Sequence, residues 1–153
     1  MNLHVLEAVQ TIPTTLAEAW AFFSDASNLA VITPPSLGFE VTSKLPPEMY
    51  AGMIVTYRIR PLFGVPVRWV TEITHVDAPH RFVDEQRFGP YRFWHHQHHF
   101  REVPGGVEAR DIVHYALPAG AGAARRWLVG PRLDEIFAYR REVLERTFGP
   151  WTG

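Results

Sequence analysis

RFVDEQRFGPYRFWHHQHHFREV, residues 81–103, reads as two strands joined at Gly89-Pro90. Successive side chains of a strand point to opposite faces. Phe82, Asp84, Gln86 and Phe88 therefore share one face of a strand Arg81–Phe88. Trp94, His96, His98 and Phe100 share one face of a strand Tyr91–Val103. So short a turn makes the two strands antiparallel neighbours. The same reading extends outward. Downstream, Pro104-Gly105-Gly106 leads to Val107–Leu117. Upstream, Asp77-Ala78-Pro79 closes Val67–Val76, and Phe63-Gly64 closes Met53–Leu62. Phe39–Lys44 and the β-branched run 3–12, which stops before Pro13, complete seven strands.

Thr15-Leu16-Ala17-Glu18 is a capping box, with Leu16, Ala19, Trp20 and Phe23 at helical spacing behind it. It predicts a helix over Leu16–Ser24. Asp25 or Ser27 caps a second short helix through Leu29, stopped by Thr33-Pro34-Pro35. Ala119–Ala124 reads as a loop. Beyond it Leu133, Ile136, Phe137, Arg140, Leu144 and Phe148 form one stripe of a long amphipathic helix. Gly130-Pro131 must start, kink or end a helix there. The fold class is α+β: one domain over 1–153, with a seven-stranded curved antiparallel sheet around a long C-terminal helix. The sheet's concave face needs a cover, and that helix is the one long element available.

At 153 residues the chain buries a real core and still has room for a cavity. A net charge of −1 argues against a nucleic-acid binder, which would present a basic face. No apolar run approaches a membrane span, so no integral membrane association is expected. The first ten residues do not read as a secretory signal, which makes a cytoplasmic location the expectation. There is no cysteine and hence no disulfide. Lys44 is the one lysine, an arginine bias assigned to genomic base composition rather than to phosphate recognition.

Polarity selects the inner face of each strand. Met53, Val55, Tyr57 and Ile59 face inward, against Arg58 and Arg60. Val67, Trp69, Thr71 and Ile73 follow in the next strand, and Asp111, Val113, Tyr115 and Leu117 in the last. The concave face is thus aromatic and aliphatic, yet it carries Tyr57, Asp84, Gln86, His96, His98, Asp111 and Tyr115. Buried carboxylates and imidazoles are costly unless paired. A largely apolar hollow with a few convergent polar groups is what a small-molecule site looks like.

Trp94-His95-His96-Gln97-His98-His99-Phe100 resembles the Trp-x-His-x-His-x-Phe pattern of a bacterial branch of the START-like (SRPBCC) superfamily. That superfamily also includes birch-pollen-allergen-like proteins and polyketide cyclases. Gly52 with Tyr57-Arg58, Trp69–Ile73, Arg81–Gln86, Gly89-Pro90, Tyr115-x-x-Pro118 and Ile136-Phe137-x-Tyr139-Arg140 extend the likeness over nearly the whole chain. The resemblance implies a helix-grip fold with a deep cavity for lipids, sterols, polyketides or other hydrophobic molecules. Some members catalyse cyclisation or dehydration, and the bacterial branch often carries cell-division-inhibitor or cyclase/dehydrase labels. Fold does not fix function.

The function expected is binding or carriage of a hydrophobic, partly aromatic small molecule. Tyr57, Trp69, Thr71, Phe82, Asp84, Gln86, Trp94, His96, His98, Phe100, Asp111, Tyr115 and Phe137 are the candidate ligand-binding residues. The enzymatic alternative, a cyclase or dehydratase, needs a base such as His96 or His98 and an oxyanion donor such as Tyr57 or Tyr115. His96 and His98 share a face, and with Asp84 or Asp111 they have the donors for a metal. Histidines hydrogen-bonded to Asp84, Asp111 or Gln86 are the preferred reading, and neither metal nor cofactor is expected. Trp127, Leu128 and Trp151 are candidates for a partner surface or for core capping. The oligomeric state is expected to be monomer or homodimer.

Overall fold

The computed structural model describes residues 1–124 and 128–153. Its strands are β1 (His4–Ile12), β2 (Glu40–Val41), β3 (Met53–Ile59), β4 (Val67–Asp77), β5 (Arg81–Phe88), β6 (Phe93–Val103) and β7 (Gly106–Ala116). They form one curved antiparallel sheet in the order β1-β7-β6-β5-β4-β3-β2. From β2 to β7 every strand pairs with its neighbour in sequence, and β1 closes the far edge against β7. The helices are α1 (Leu16–Phe23), α2 (Asn28–Val31), α3 (Gly122–Ala124) and α4 (Gly130–Phe148), with a 3-10 turn at Pro35–Leu37.

Local chemistry explains most boundaries. Thr15 Oγ1 accepts from the Glu18 amide at 3.2 Å, and the Glu18 carboxylate accepts from the Thr15 amide at 3.3 Å. That box fixes the start of α1, whose Leu16, Ala19 and Phe23 are buried. The second helix starts after Ser27, one of the two expected caps, and runs on to Val31, past Leu29. Asp25 Oδ1 accepts from both the amide and the hydroxyl of Ser27, at 2.9 and 2.6 Å, so these residues form a turn ahead of Asn28–Val31. Pro131 lies in the first turn of α4, where its missing N–H costs nothing. Gly130-Pro131 thus opens α4 directly after the π-helical residues Leu128 and Val129. The loop expected at Ala119–Ala124 contains the single turn α3.

Three sheet details depart from the sequence reading. The strand expected over Phe39–Lys44 keeps two ladder residues, because the Ser43 hydroxyl replaces a backbone acceptor for the Thr56 amide at 3.1 Å. In β5 the register jumps from Gln86, opposite Thr71, to Phe88, opposite Val70. This bulge adds one residue and turns Phe88 outward, where it is 63% exposed instead of facing the core. A second bulge near Thr74 in β4 turns Val76 inward, against the core.

The main core lies at the α1 end, where Ile12, Ala19, Phe23, Phe100, Val107 and Leu144 pack together. A smaller cluster joins β3 to β4 through Val55, Tyr57 and Ile73. A third joins Val113 and Tyr115 to Leu133 of α4. The clusters sit at the periphery of the concave face, and the space between them is the cavity described below. Trp151 is half-buried over Gly105 and Gly106, so it caps the β6–β7 turn. Trp127 lies outside the described residues.

Candidate functional site

Between the concave face of the sheet and α4 lies a cavity of about 400 Å³. Its sheet wall is built by alternation: Val55, Tyr57 and Ile59 from β3, Trp69, Thr71 and Ile73 from β4, and Phe82 and Asp84 from β5. Trp94, His96 and His98 continue it on β6, and Ile136, Phe137 and Arg140 of α4 face it from across the space. The aromatic lining is self-supporting. The Trp94 ring stands edge-on to Trp69 at 5.2 Å and lies 4.7 Å from Tyr91, a favourable aromatic arrangement. Trp69 Nε1 donates to Thr71 Oγ1 at 3.0 Å, which removes an otherwise unpaired indole donor from the wall.

The polar side of the cavity is one connected cluster. The His96 and His98 rings stack with centroids 3.8 Å apart, as residues two apart on one strand allow. Each ring spans two carboxylates, Asp84 from β5 and Asp111 from β7. His98 Nε2 lies 2.6 Å from Asp84 Oδ2, and His96 Nε2 lies 2.8 Å from Asp111 Oδ1. The other nitrogens approach the opposite carboxylates, at 3.7 Å for His96 Nδ1 to Asp84 and 3.3 Å for His98 Nδ1 to Asp111. The second of these is an ionic contact without hydrogen-bond geometry. Arg140 of α4 reaches Asp111 at 3.2 Å and lies over Phe23 and Phe137.

Burial pushes the Asp111 carboxyl up, but Arg140 and the two imidazoles outweigh it and hold it well below the usual range. Burial likewise opposes the charge on Asp84, and His98 above all brings it below its ordinary value. The imidazoles split. For His96, burial and the charge on His98 prevail, and its pKa falls. For His98, burial is outweighed by the contacts with Asp111 and Asp84, and its pKa rises. Two carboxylates, one guanidinium and one imidazolium then sum to zero, which is how so many ionisable groups sit inside together. The Tyr57 hydroxyl is pushed up by burial and by the Asp84 charge, so it remains a proton donor.

This pair predicts a bell-shaped pH dependence of stability. Over the range where His98 is charged and His96 neutral, the folded pair holds one proton. The unfolded pair holds two below the ordinary value of 6.5 and none above it. His96, depressed, contributes stability that is lost as pH falls through its folded value. His98, raised, contributes stability that is lost as pH rises through its own. Urea unfolding across pH should therefore show a maximum near 6.5, with limbs of at most roughly 1.4 kcal/mol per pH unit. Asp84→Asn removes the carboxylate 2.6 Å from His98 Nε2, one of the two that support its charge, and should flatten the alkaline limb; an unchanged limb would refute the assignment.

Of the thirteen candidates read from sequence, the structure places Tyr57, Trp69, Thr71, Phe82, Asp84, Trp94, His96, His98 and Phe137 on the cavity wall. Four stand elsewhere. Gln86 is next to a bulge and turns its amide to the backbone of Tyr91, at 2.7 and 3.1 Å, pinning the β5–β6 turn. Phe100 faces inward but lies deeper, within the α1 core, because β6 continues past the cavity floor. Asp111 sits behind the imidazoles and faces a cleft between β1 and α4. Tyr115 packs against His4, Tyr91 and Trp94, under Leu133. Sequence reasoning left out Tyr91 and set Arg140 with Arg141 and Arg146 on a solvated helix face, whereas Arg140 is buried against Asp111. The inward spacing of Arg140 in an apolar helical stripe was its signal, since a lone arginine there needs a buried carboxylate. Tyr91 carried none beyond the adjacent Gly-Pro.

No family model matches the sequence, and no curated protein matches it. Solved structures do. Protein Ms6760 from Mycobacterium smegmatis is 19% identical and superposes with a TM-score of 0.72, over 97% of this chain and 93% of that one. Ara h 8.0201 superposes at 0.66 with 14% identity, over 95% and 99%. A START superfamily protein from Mycobacterium smegmatis superposes at 0.68 with 9% identity, over 94% and 99%. The chain has a START-like fold. At these identities the likeness concerns the backbone: a helix-grip sheet closed by its C-terminal helix. In this START-like chain no helix among the described residues is long and apolar enough to cross a membrane. Asp84, His96 and His98 have the donor set for a metal ion, with ligating atoms within 4.8 Å of one another. In this structure one nitrogen of each ring is already hydrogen-bonded to a carboxylate, His96 to Asp111 and His98 to Asp84.

Proposed function

We propose that this START-like protein binds and carries a hydrophobic, partly aromatic small molecule in the cavity between sheet and α4. The observation that carries this reading is the wall itself. An enclosure of about 400 Å³ is apolar on most sides, and its ionisable groups are gathered on one. That is the size and polarity expected of a small-molecule site. Trp69, Phe82, Trp94 and Phe137 supply the apolar contact, with edge-on ring geometry suited to a flat or fused-ring body. Tyr57, Asp84, His96 and His98 orient its polar atoms. Gln86, Phe100, Asp111 and Tyr115 act from behind, holding the lining residues in place.

Native mass spectrometry of the purified protein tests this. A bound mass of a few hundred daltons, lost on denaturation, is expected from a cavity of this size. Sole recovery of one bound metal ion would overturn the carrier reading. A second reading, acid–base catalysis of a cyclase or dehydratase type, is favoured by one observation. His96 is held neutral, with Asp111 orienting it, beside a charged His98 on the cavity wall. It distinguishes itself by His96→Ala or His98→Ala, which on that reading keeps binding and removes turnover of the recovered molecule.

A further inference from the structure

The β3–β4 connection, Pro61-Leu62-Phe63-Gly64-Val65-Pro66, is an apolar tip standing at the cavity mouth. Pro61 and Leu62 line the cavity, together with Leu128 and Arg132 at the start of α4. Phe63 is 93% exposed, Val65 58% and Leu62 39%, and Leu128 across the mouth is 42% exposed. Phe63 has φ +52, a left-handed backbone that bulky side chains avoid, so its outward presentation is held by the surroundings. The holding contacts are visible. The Val65 amide donates to Leu62 O at 3.0 Å, Arg60 Nη1 donates to Gly64 O at 2.7 Å, and Arg132 Nη2 donates to Pro61 O at 3.1 Å. The loop is thus braced from the sheet on one side and from α4 on the other, while its ring points to solvent.

The charge around the tip is one-sided. Arg60, Arg68 and Arg92 are exposed at the same end of the sheet, and none forms an ion pair among the described residues. The nearby carboxylates Glu40 and Glu135 are neutralised by Arg58 and Arg132. Asp134 on α4 is the exposed carboxylate left at this end. An apolar tip ringed by cations is the pattern that inserts between lipid acyl chains and holds anionic headgroups. Area decides against a protein partner. A stable interface needs roughly 800 Å² on each side. One ring of about 200 Å² with a leucine and a valine beside it falls well short.

We propose that the Leu62–Val65 tip docks this protein on an anionic bilayer surface, with the cavity mouth facing the lipid. The surface is argued without reference to what fills the cavity, and its test uses vesicles alone. The full chain should co-sediment with phosphatidylcholine vesicles containing phosphatidylglycerol, and several-fold less with phosphatidylcholine alone. Phe63→Ser should weaken that binding about tenfold or more. It should leave the melting temperature unchanged, because the ring makes no core contact. Arg68→Glu with Arg92→Glu should abolish the preference for the anionic vesicles. Failure of the parent chain to sediment with them overturns the proposal, as does Phe63→Ser sedimenting like the parent. A parent dimer that Phe63→Ser converts to monomer also overturns it, assigning the tip to a second copy.

Discussion

Asp111→Ala is expected to cost about 3–5 kcal/mol of folding stability, read as the midpoint shift in urea unfolding. The carboxylate has three partners: Arg140 at 3.2 Å, His96 at 2.8 Å and His98 at 3.3 Å. Removing it strands a guanidinium 7% exposed between the sheet and α4, beside an imidazole already charged. Nothing else within the cluster can neutralise both, since Asp84 is held by His98. The comparison that isolates the charge is Arg140→Met. It keeps the apolar contact with Phe23 and Phe137 and leaves Asp111 with its two imidazoles. That variant should lose less, because His96, already hydrogen-bonded to Asp111, can take up a proton and restore neutrality to the cluster. Equal losses for the two variants would show that packing, and not the stranded cation, sets the cost. A loss below about 1 kcal/mol for Asp111→Ala would show that water reaches the cluster.

Trp94→Ala is expected to weaken retention of the cavity's molecule by about tenfold to a hundredfold, while the domain stays folded. The indole is half-buried, borders the cavity, and packs on Trp69 and Tyr91 at 5.2 and 4.7 Å. It lies outside the α1 core, so its loss enlarges a space that already exists. Phe137→Ala should act in the same direction from the α4 side, since Phe137 lines the opposite wall. The measurement is competition between parent and variant for the molecule released from the parent, with circular dichroism confirming the fold. Unchanged affinity in both variants would sink the placement of the binding site. Phe100→Ala serves as the contrast. It should destabilise the protein through the α1 core and leave affinity per folded molecule nearly unchanged.

Much of this was legible in the amino-acid sequence because alternation is a local property. Strand period two placed Tyr57, Trp69, Thr71, Trp94, His96 and His98 on one surface, and turn residues set the antiparallel order of the strands. The capping box at Thr15 fixed the first helix, since both its hydrogen bonds lie within four residues. What escaped depends on neighbours distant in the chain. Phe88 faces outward because of a bulge against Val70, and a bulge is a fact about two strands. Gln86 turns away from the cavity because the Tyr91 backbone is within reach of its amide. Arg140 belongs to the site because α4 lies across β7, where its guanidinium meets Asp111. The sequence by itself determined which faces are apolar and how the elements follow one another, since those rest on backbone period and turn chemistry. The tertiary structure alone decided which imidazole carries the proton and which carboxylate faces the cavity, because those follow from distances between groups that the chain keeps apart.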